Sequence, residues 1–465
     1  MKMKIKTTTP AYIKLLDKST KLGEMEPSNF KVYRTRWYIL TIHTLIGLGN
    51  ITIYSTWGPI EKTAQDALGL TQTDLALLPN WFNLCYFIAV FPFMWLIQTK
   101  GLRAAELTTA SIICAGAAIR CFSFGSNFPT ADRVFIHLGQ IVNGIAAPIP
   151  WIGCTYISAF WFPVSERSLA TSIGLSATYL GEAVAFLLGP LIVQHSAPGD
   201  PRMGVQNLLY IELAFVCIIL LLAIIYFPSA PPTAPSFTAS VARVPFRSSV
   251  LRILKSPQVW IIMAVYSISA GFYASWLQIL TTFLEPVMKE DEAGWVGFTV
   301  AIVGILAPPS LNFIFQKWVT SHPKLLCTCI MTVGTVAFGI VAISAFFIPA
   351  LFTPTTIWLA LITWSGCFTM AEPIWWEMAC EAAYPVAESV ISGLFTLASC
   401  SVSFIYFIIF MFPQLGTDWA TWTLLVAEVL ILPLFQFYKP IFRRRQKDIE
   451  NDENRFDLTP SNNYS

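Results

Sequence analysis

The stretch from Trp161 to Pro190, WFPVSERSLATSIGLSATYLGEAVAFLLGP, joins a short polar turn to a long apolar run. The run from Leu169 to about Val193 is long enough to cross a bilayer, which takes about 20 residues. Glu182 lies near the middle of this crossing, where a charged side chain costs roughly 2.5–3.5 kcal/mol to insert. A residue kept at that cost is a candidate functional group, so the stretch indicates a membrane protein with a functional site inside the membrane.

The composition leads to the same interpretation. The chain has 465 residues, of which 55% are hydrophobic and 12% are charged, whereas soluble domains are about 25% charged. The ten cysteines fall within apolar runs and are interpreted as small buried hydrophobic residues. The sequence contains no phosphate-binding loop, HExxH motif or loop with a Ser-His-Asp grouping. We therefore predict that the protein is not an enzyme and has no cofactor and no metal site.

Apolar runs of about 20 residues recur along the chain, separated by short polar or Pro/Gly turns. Helix is the conformation that satisfies the backbone hydrogen bonds of such runs in lipid. The sequence therefore predicts an all-α membrane protein with twelve transmembrane helices, arranged as two six-helix bundles. The predicted spans are 36–58, 73–97, 104–124, 134–160, 169–193, 208–228, 257–283, 295–316, 325–349, 355–380, 389–411 and 419–437.

A polar, basic segment rich in proline separates the two sets of six spans and predicts a domain boundary. The predicted domains are an N-terminal tail 1–35, a first bundle 36–228, a linker 229–256, a second bundle 257–437 and a C-terminal tail 438–465. The C-terminal tail is charged and is expected to be disordered beyond Lys439. Most of the 29 Lys and Arg residues fall in the tails, the linker and the loops on the same side. Such residues concentrate on the cytosolic side, so both termini are predicted to be cytosolic.

Two carboxylates inside the predicted spans are candidates for proton coupling. Glu182 either faces a water-filled cavity, where it would exchange a proton, or forms a structural hydrogen bond to a neighbouring helix across Gly181. Glu372 precedes Pro373, which should kink the tenth span. A broken membrane helix that carries a carboxylate often marks a transport pathway.

Two more carboxylates, Glu377 and Glu381, lie at the predicted cytosolic end of the tenth span. They are four residues apart and therefore share a helix face. They are either gate residues that pair with basic loops or part of a solvated rim.

Glycine and proline inside the spans predict close helix contacts and helix breaks. Gly174, Gly181 and Gly189 are spaced so that another helix approaches the fifth span closely. Pro148 and Pro150 should interrupt backbone hydrogen bonding in the fourth span.

Aromatic residues supply the candidates for substrate contact. An aromatic lining with one acid suits a cationic or aromatic nitrogen compound, through stacking and cation–π contact. Ordinary packing is the alternative interpretation for these side chains. His43 and His137 have no metal partner and are interpreted as packed or interfacial. The predicted substrate-binding residues are Tyr54, Trp57, Asn143, Tyr179, Tyr273 and Trp276.

Two sets of six spans around a basic linker resemble the major facilitator superfamily. The segment Trp95–Arg103, WLIQTKGLR, resembles that superfamily's loop between the second and third spans, with Gln98 where an Asp is usual. Gln98 therefore leaves the usual ion pair of this loop without its acid.

A more specific resemblance is to solute carrier family 49, which includes the feline leukaemia virus subgroup C receptors and the disrupted-in-renal-carcinoma protein 2. The second branch is the better match, especially through the segment TWGPI. The matching segments are YRTRW at 33–37, STWGPI at 55–60, GQIVNG at 139–144, YLG at 179–181, DEAGWVGF at 291–298 and YPVAE at 384–388.

The resemblance implies an alternating-access transporter. The receptor branch is associated with choline and haem export, and the other branch with lysosomal, proton-driven pyridoxine transport. In the receptor branch a span-one aromatic residue and a span-five Gln line the cavity. These positions fall near Tyr54 and Tyr179 here, so a choline-type site is not reproduced residue for residue.

We therefore expect a transporter, proton-coupled or facilitative, of a small aromatic or cationic solute such as pyridoxine. A haem or choline exporter is the alternative within the same fold. A non-transporting sensor or receptor is the alternative of another class, and the short outer loops argue against it. The expected partners are a small-molecule substrate, protons and membrane lipids, with no nucleic acid. We expect a monomer in the lysosomal or plasma membrane.

Overall fold

The computed structural model describes residues 30–122, 129–196, 199–240, 244, 246–410, 418–447 and 449, and all regular secondary structure in these ranges is helical. The expected all-α class is therefore confirmed. Shorter helices cover Glu61–Leu68, Phe237–Ser240, Phe246–Leu254 and Leu280–Leu284. The long helices are α1 Thr35–Ser55, α2 Gln72–Lys100, α3 Leu102–Cys121, α4a Pro129–Ile145, α4b Pro148–Trp161, α5 Arg167–Ser196, α6 Pro201–Ile225, α7 Pro257–Gln278, α8 Glu290–Ser321, α9 Pro323–Phe347, α10 Pro354–Ala383, α11 Glu388–Phe410 and α12 Asp418–Gln436.

Eleven helical segments in the described part of the chain are long and apolar enough to cross a membrane. They correspond to α2 through α12, with α4a and α4b counted as one crossing. Helix α1 has 21 residues, and at 1.5 Å per residue it is about 31 Å long, which matches the hydrocarbon core. It is not among the eleven, and its sequence includes the polar residues His43 and Asn50. The predicted number of twelve therefore stays a prediction.

The fourth predicted span consists of two helices. Helix α4a ends at Ile145, and α4b begins at Pro148. Proline has no backbone N–H and is favoured in the first turn of a helix. The break therefore falls where the prolines of this span predict it, and α4b is an element with its own beginning.

The first six long helices contact the last six along three main lines. Helix α5 packs along α8, α2 packs along α11, and α4b contacts α11 as well. Where α2 meets α11, the side-chain amide of Gln98 donates a hydrogen bond to Ser389 Oγ at 3.3 Å. The residue that stands in place of the usual loop acid therefore joins the two groups of helices.

The glycines of α5 allow the close approach that their spacing predicts. A Cβ atom at Gly181 would lie 2.8 Å from the backbone oxygen of Leu48 on α1, and one at Gly174 would lie 2.9 Å from Cys154 Sγ on α4b. At Gly189 the nearest atom would be Ile60 Cγ2, at 3.5 Å. Helix α1 thus lies against the backbone of α5 at Gly181.

We predict that Gly181→Ala destabilises the protein, whereas Gly189→Ala does not. The new methyl group at Gly181 would press on a backbone oxygen, which cannot move aside as a side chain can. Overpacking of this kind costs about 1–3 kcal/mol. Thermal unfolding of the purified variants in detergent measures the effect. Equal melting temperatures for the two variants would contradict the close approach of α1 and α5.

The segment that follows α6 is more structured than a loop. Residues 229–256 include the short helices Phe237–Ser240 and Phe246–Leu254. The buried guanidinium of Arg167, at the start of α5, donates hydrogen bonds to Ser236 Oγ at 2.7 Å and to Thr238 Oγ1 at 3.0 Å. The predicted linker therefore packs against the first bundle, and its assignment as a domain boundary stays a prediction.

The beginning of the C-terminal tail is ordered, contrary to expectation. Residues 443–447 form a helical turn, and Arg444 is 3% exposed. The Arg444 guanidinium lies 2.5 Å from Glu377, 3.2 Å from Glu381 and 3.5 Å from Glu388. Burial alone would lower the pKa of Arg444, but these three carboxylates raise it well above its ordinary value. The expectation of disorder beyond Lys439 is wrong for this part of the tail, because three acids hold it.

We predict that Arg444→Gln releases the tail from the helices, whereas Arg443→Gln does not. Removing one partner of a buried ion pair costs roughly 3–5 kcal/mol, because the remaining charge is left without compensation. Arg443 is exposed and serves as the matched control. Limited digestion with chymotrypsin, which cuts after Tyr438 and Phe442, reports tail release. Equal cleavage rates in both variants would show that Arg444 does not hold the tail.

Candidate substrate and coupling site

A group of buried tyrosines and glutamates lies where α5, α7 and α10 meet; we call it the central cluster. Its members are Tyr179, Glu182, Tyr266, Tyr273 and Glu372, and each is at most 8% exposed. The hydroxyl of Tyr179 donates a hydrogen bond to Glu372 Oε2 at 2.6 Å, and that of Tyr266 donates to Oε1 at 3.4 Å. The bond from Tyr179 joins α5 of the first six helices to α10 of the last six.

Aromatic rings surround this carboxyl group. The Tyr273 ring lies 6.2 Å from the Tyr179 ring in an edge-to-face arrangement and stacks on Phe368 at 4.2 Å. The Tyr266 ring stacks on Phe395 at 5.4 Å and meets Trp376 edge to face at 5.5 Å. Ring faces carry partial negative charge and attract cations. The site therefore combines an acid with several rings that favour a positively charged group.

Glu182 lies one helical turn beyond Tyr179 on the same face of α5. Its Oε2 atom is buried and has no hydrogen-bond partner among the described residues. That oxygen therefore does not form the structural hydrogen bond to a neighbouring helix that was the alternative interpretation. Glu182 interacts electrostatically with Glu372, Tyr54 and Tyr273.

In the described structure, neither Glu182 nor Glu372 has a basic side chain beside it. Glu182 interacts with Glu372, and Glu372 accepts hydrogen bonds from Tyr179 and Tyr266; both acids are otherwise buried. Two carboxylates that are both charged and buried repel each other and lose their hydration. A bound proton or a bound organic cation removes this cost. The geometry thus suits the binding of a positive charge between α5 and α10.

The other predicted substrate-contact residues lie outside the central cluster. Tyr54 packs on Phe82, with ring centres 4.8 Å apart, and lines with Trp57 a small cavity of about 40 Å³ at the end of α1. Trp276 is fully buried beside Trp364 and donates a hydrogen bond to Thr421 Oγ1 at 3.3 Å. It belongs to the core of the second set of helices.

Asn143 also lies outside the central cluster. Its side-chain amide donates to the backbone oxygen of Asn50 at 3.1 Å, and the amide of Asn50 donates to Asn143 Oδ1 at 3.0 Å. Both residues are buried. Asn143 therefore ties α4a to α1.

The two predicted gate residues lie at the end of the molecule where α1 begins and α12 ends; we call this end the terminal side. Glu377 accepts a hydrogen bond from Thr171 Oγ1 of α5 at 3.3 Å, in addition to its ion pair with Arg444. Glu381 accepts the backbone N–H groups of Arg444 and Arg445 at 2.9 and 3.0 Å. These acids are thus engaged by the tail and α5 instead of forming a solvated rim. A cavity of about 630 Å³ opens beside them.

The sequence analysis missed several buried acids, among them Glu106 and Glu212. Glu106 on α3 lies 2.7 Å from His43 Nδ1, and Glu212 on α6 pairs with Arg120 at 2.5 Å. His43 was interpreted as a packed residue, and it is indeed buried, but its acidic partner was not foreseen. The available signal was that each of these charged residues lies within a predicted apolar span, although the sequence does not say which spans are neighbours.

Comparison with known proteins identifies the fold and the family. The family model "Major Facilitator Superfamily" matches residues 39–407. The chain is 29% identical over 444 residues to "Solute carrier family 49 member 4 homolog" of Xenopus tropicalis, covering 90% of this chain and 94% of the relative. It is 26% identical over 463 residues to the human "Choline/ethanolamine transporter FLVCR2", covering 93% of this chain and 82% of the relative.

Solved structures show the same fold at low sequence identity. The proton:xylose symporter XylE aligns with a TM-score of 0.69 at 12% identity, covering 89% of this chain and 98% of XylE. The fucose:proton symporter FucP of E. coli aligns with a TM-score of 0.62 at 14% identity, covering 86% of this chain and 99% of FucP. Together with the family match and the relatives of solute carrier family 49, this shows that the chain belongs to the major facilitator superfamily of multi-pass membrane transporters.

Proposed function

We propose that this transporter carries a small organic cation or protonatable nitrogen compound through the central cluster, in a process coupled to protons. The observation that carries the proposal is the carboxyl group of Glu372, which is buried between helices of the two halves and accepts hydrogen bonds from two tyrosine hydroxyl groups. Glu182, a second buried acid without a basic partner in the described structure, supports the same view. Transporters of this fold bind substrate between their two halves near the midplane.

The substrate class follows from the chemistry of the lining. Pyridoxine offers an aromatic nitrogen ring, and choline offers a quaternary ammonium group; both suit tyrosine faces next to a carboxylate. The name of the relative FLVCR2 refers to choline and ethanolamine, which supports testing choline beside pyridoxine. Haem is disfavoured, because it needs a wide apolar cavity, whereas the rings of Tyr273 and Phe368 stack at 4.2 Å in this region.

Charge exchange would be tied to movement through the Tyr179–Glu372 contact. These residues lie on α5 and α10, so rocking of one half against the other changes their separation. In this structure the Tyr179 hydroxyl helps to stabilise the negative charge of Glu372. A cation or proton bound at Glu372 would compensate that charge instead. We infer that occupancy of Glu372 decides how easily this contact breaks. Such coupling requires the occupant to interact differently with the two conformations.

We predict that Glu372→Gln lowers uptake of the transported compound by at least about tenfold, with Glu182→Gln reducing it as well. Losing a hydrogen bond or contact to a charged group costs about 1.5–3 kcal/mol, and glutamine carries no charge to balance a cation. Uptake of radiolabelled choline and pyridoxine into proteoliposomes, at acidic and at neutral external pH, measures the effect.

Glu428→Gln is the matched control for this experiment. Glu428 lies in α12 and accepts a hydrogen bond from Trp364, a bond that glutamine can retain. If the Glu372→Gln and Glu428→Gln variants show equal uptake, Glu372 does not lie on the substrate path. Absence of uptake for both compounds in the unchanged protein would reject this substrate class.

We predict that Tyr273→Leu raises the KM for a cationic substrate by roughly 3–30-fold, because a cation–π contact contributes about 0.5–2 kcal/mol. Tyr273→Phe should retain most of the affinity, since it keeps the ring and loses only the hydroxyl bonded to Ser365 at 2.8 Å. Concentration dependence of initial uptake rates gives both KM values. Equal KM values for the Leu and Phe variants would show that the ring does not contact the substrate.

A further inference from the structure

A second group of titratable side chains lies within the first six helices, away from the central cluster. Nδ1 of His43, on α1, is 2.7 Å from Glu106 Oε1 on α3, and its Nε2 is 3.3 Å from Cys154 Sγ on α4b. The side chains of His43 and Glu106 are 1% and 0% exposed. A Cβ atom at Gly153 would lie 2.4 Å from His43 Cε1, so glycine at this position makes room for the imidazole. We call the side chains of His43, Glu106 and Cys154 the His43 cluster.

Two protonation states satisfy the hydrogen-bond geometry of the His43 cluster, and the first holds one proton more than the second. The Cys154 thiol donates to the backbone oxygen of Pro150 at 3.1 Å. In this first state the sulfur accepts a hydrogen bond from Nε2–H of His43, and a further proton lies between Nδ1 and Glu106 Oε1. Whether that proton resides on the imidazole or on the carboxyl group, the pair carries one proton more than a neutral imidazole beside a carboxylate.

The same geometry also accommodates the state with one proton fewer. If the cluster loses one proton, the imidazole keeps a single ring hydrogen; when this hydrogen is on Nδ1, it donates to Glu106 Oε1. Nε2 then becomes an acceptor, and it receives the Cys154 thiol hydrogen after rotation about the Cβ–Sγ bond. Both ring nitrogens stay hydrogen-bonded in either state. What changes is the Pro150 backbone oxygen, which loses the thiol donor.

Among the described residues, the charged and titratable groups around His43 are few. The titratable groups that interact with His43 from the helices packed against α1 are Glu106 on α3 and Cys154 on α4b. Glu106 Oε2 is buried and has no hydrogen-bond partner in the described part of the chain. An unpaired carboxyl oxygen at this depth is costly unless the group changes its protonation or its partners during function.

Helix α4b connects the His43 cluster to the contact between the two halves. Thr155, the residue after Cys154, lies with its hydroxyl 3.0 Å from Ser392 Oγ of α11. One turn earlier, the Trp151 ring stacks on Trp376 of α10 at 6.5 Å. Pro150, whose backbone oxygen receives the Cys154 thiol, lies in the first turn of the same short helix. A change at Cys154 is therefore adjacent to the residues of α4b that contact α10 and α11 of the other half.

We propose that the His43 cluster is a proton-binding site that controls the contact of α4b with α10 and α11, and so links proton binding to opening of the terminal side. Loss of the proton turns the Cys154 thiol from the Pro150 oxygen towards His43, while that oxygen keeps its helical hydrogen bond from the backbone N–H of Cys154. The thiol thus changes partner within the helix whose Trp151 and Thr155 contact α10 and α11. The site is separate from the acids of the central cluster. It rests on the proposed function only in requiring that transport is coupled to protons.

Comparing two transport modes in proteoliposomes tests the role in coupling. Counterflow needs no gradient, whereas accumulation under a pH gradient needs a proton site. The probe is radiolabelled choline or pyridoxine, whichever the unchanged protein carries. For Glu106→Gln and His43→Gln, the ratio of gradient-driven accumulation to counterflow should fall by at least tenfold. An unchanged ratio, or a parallel loss of both modes with a lower melting temperature, would overturn the proposal in favour of a structural role.

Two variants of Cys154 sharpen this test. Cys154→Ser retains a group that donates and accepts and should preserve the ratio better than Cys154→Ala, which retains neither. Equal ratios for the two variants would exclude the thiol from the switch.

A measurement without substrate separates this proposal from the proposed function. Nitrogen NMR of the purified protein labelled with ¹⁵N-histidine reports the protonation of each ring, and the His43→Gln variant identifies the His43 signals among the four histidines. His43 should change between a doubly and a singly protonated ring within the pH range in which the protein stays folded, and Glu106→Gln should move the midpoint. A single protonation state over this whole range, in the presence and absence of substrate, would overturn the proposal even if transport of choline or pyridoxine is established.

Discussion

A carboxyl group inside a membrane protein must find its compensation within the protein, because the hydrocarbon offers no water. The structure meets this constraint in different ways. Glu212 pairs with Arg120, Glu106 pairs with His43, and Glu372 accepts two tyrosine hydroxyl groups. Glu182 has a buried oxygen with no partner in the described structure. These differences separate acids that stabilise helix packing from acids that are available to bind a positive charge.

The same constraint explains where the two halves touch. Several contacts between them use neutral hydroxyl and amide groups, such as Thr155 with Ser392 and Gln98 with Ser389. A neutral hydrogen bond contributes only about 0.5–1.5 kcal/mol, so such contacts can break and re-form during a transport cycle. The strong ion pair of Arg444 with Glu377 and Glu381 instead lies within the second set of helices and its tail. It therefore need not break when the halves separate.

Helix α4b has a special position in this arrangement. It begins after a proline-induced break, carries one member of the His43 cluster, and meets α11 through the next residue. Because α4b begins separately from α4a, it can shift while α4a keeps its position. The fold thus places a titratable group and a movable contact on one small element.

The positions of the membrane helices follow from the sequence, because the length and hydrophobicity of an apolar run are local properties of the chain. These two properties decide whether the run can cross the bilayer. The same property drew attention to Glu182 and Glu372, since a carboxylate stands out in an apolar run. The break before Pro148 and the close approach at Gly181 were also visible locally, through backbone chemistry.

Only the tertiary structure decided which of these residues meet. Trp276 and Asn143 carry suitable chemistry for a substrate site, but helix packing places Trp276 in an aromatic core and Asn143 against α1. His43 and Glu106 are separated by 63 residues in the sequence, yet their side chains lie 2.7 Å apart. Hydrophobicity determines that a helix crosses the membrane, but it does not determine which neighbouring helices it packs against. Pairings between polar side chains on different helices are fixed by shape, close approach and electrostatics in three dimensions, and so the site emerges only with the packed fold.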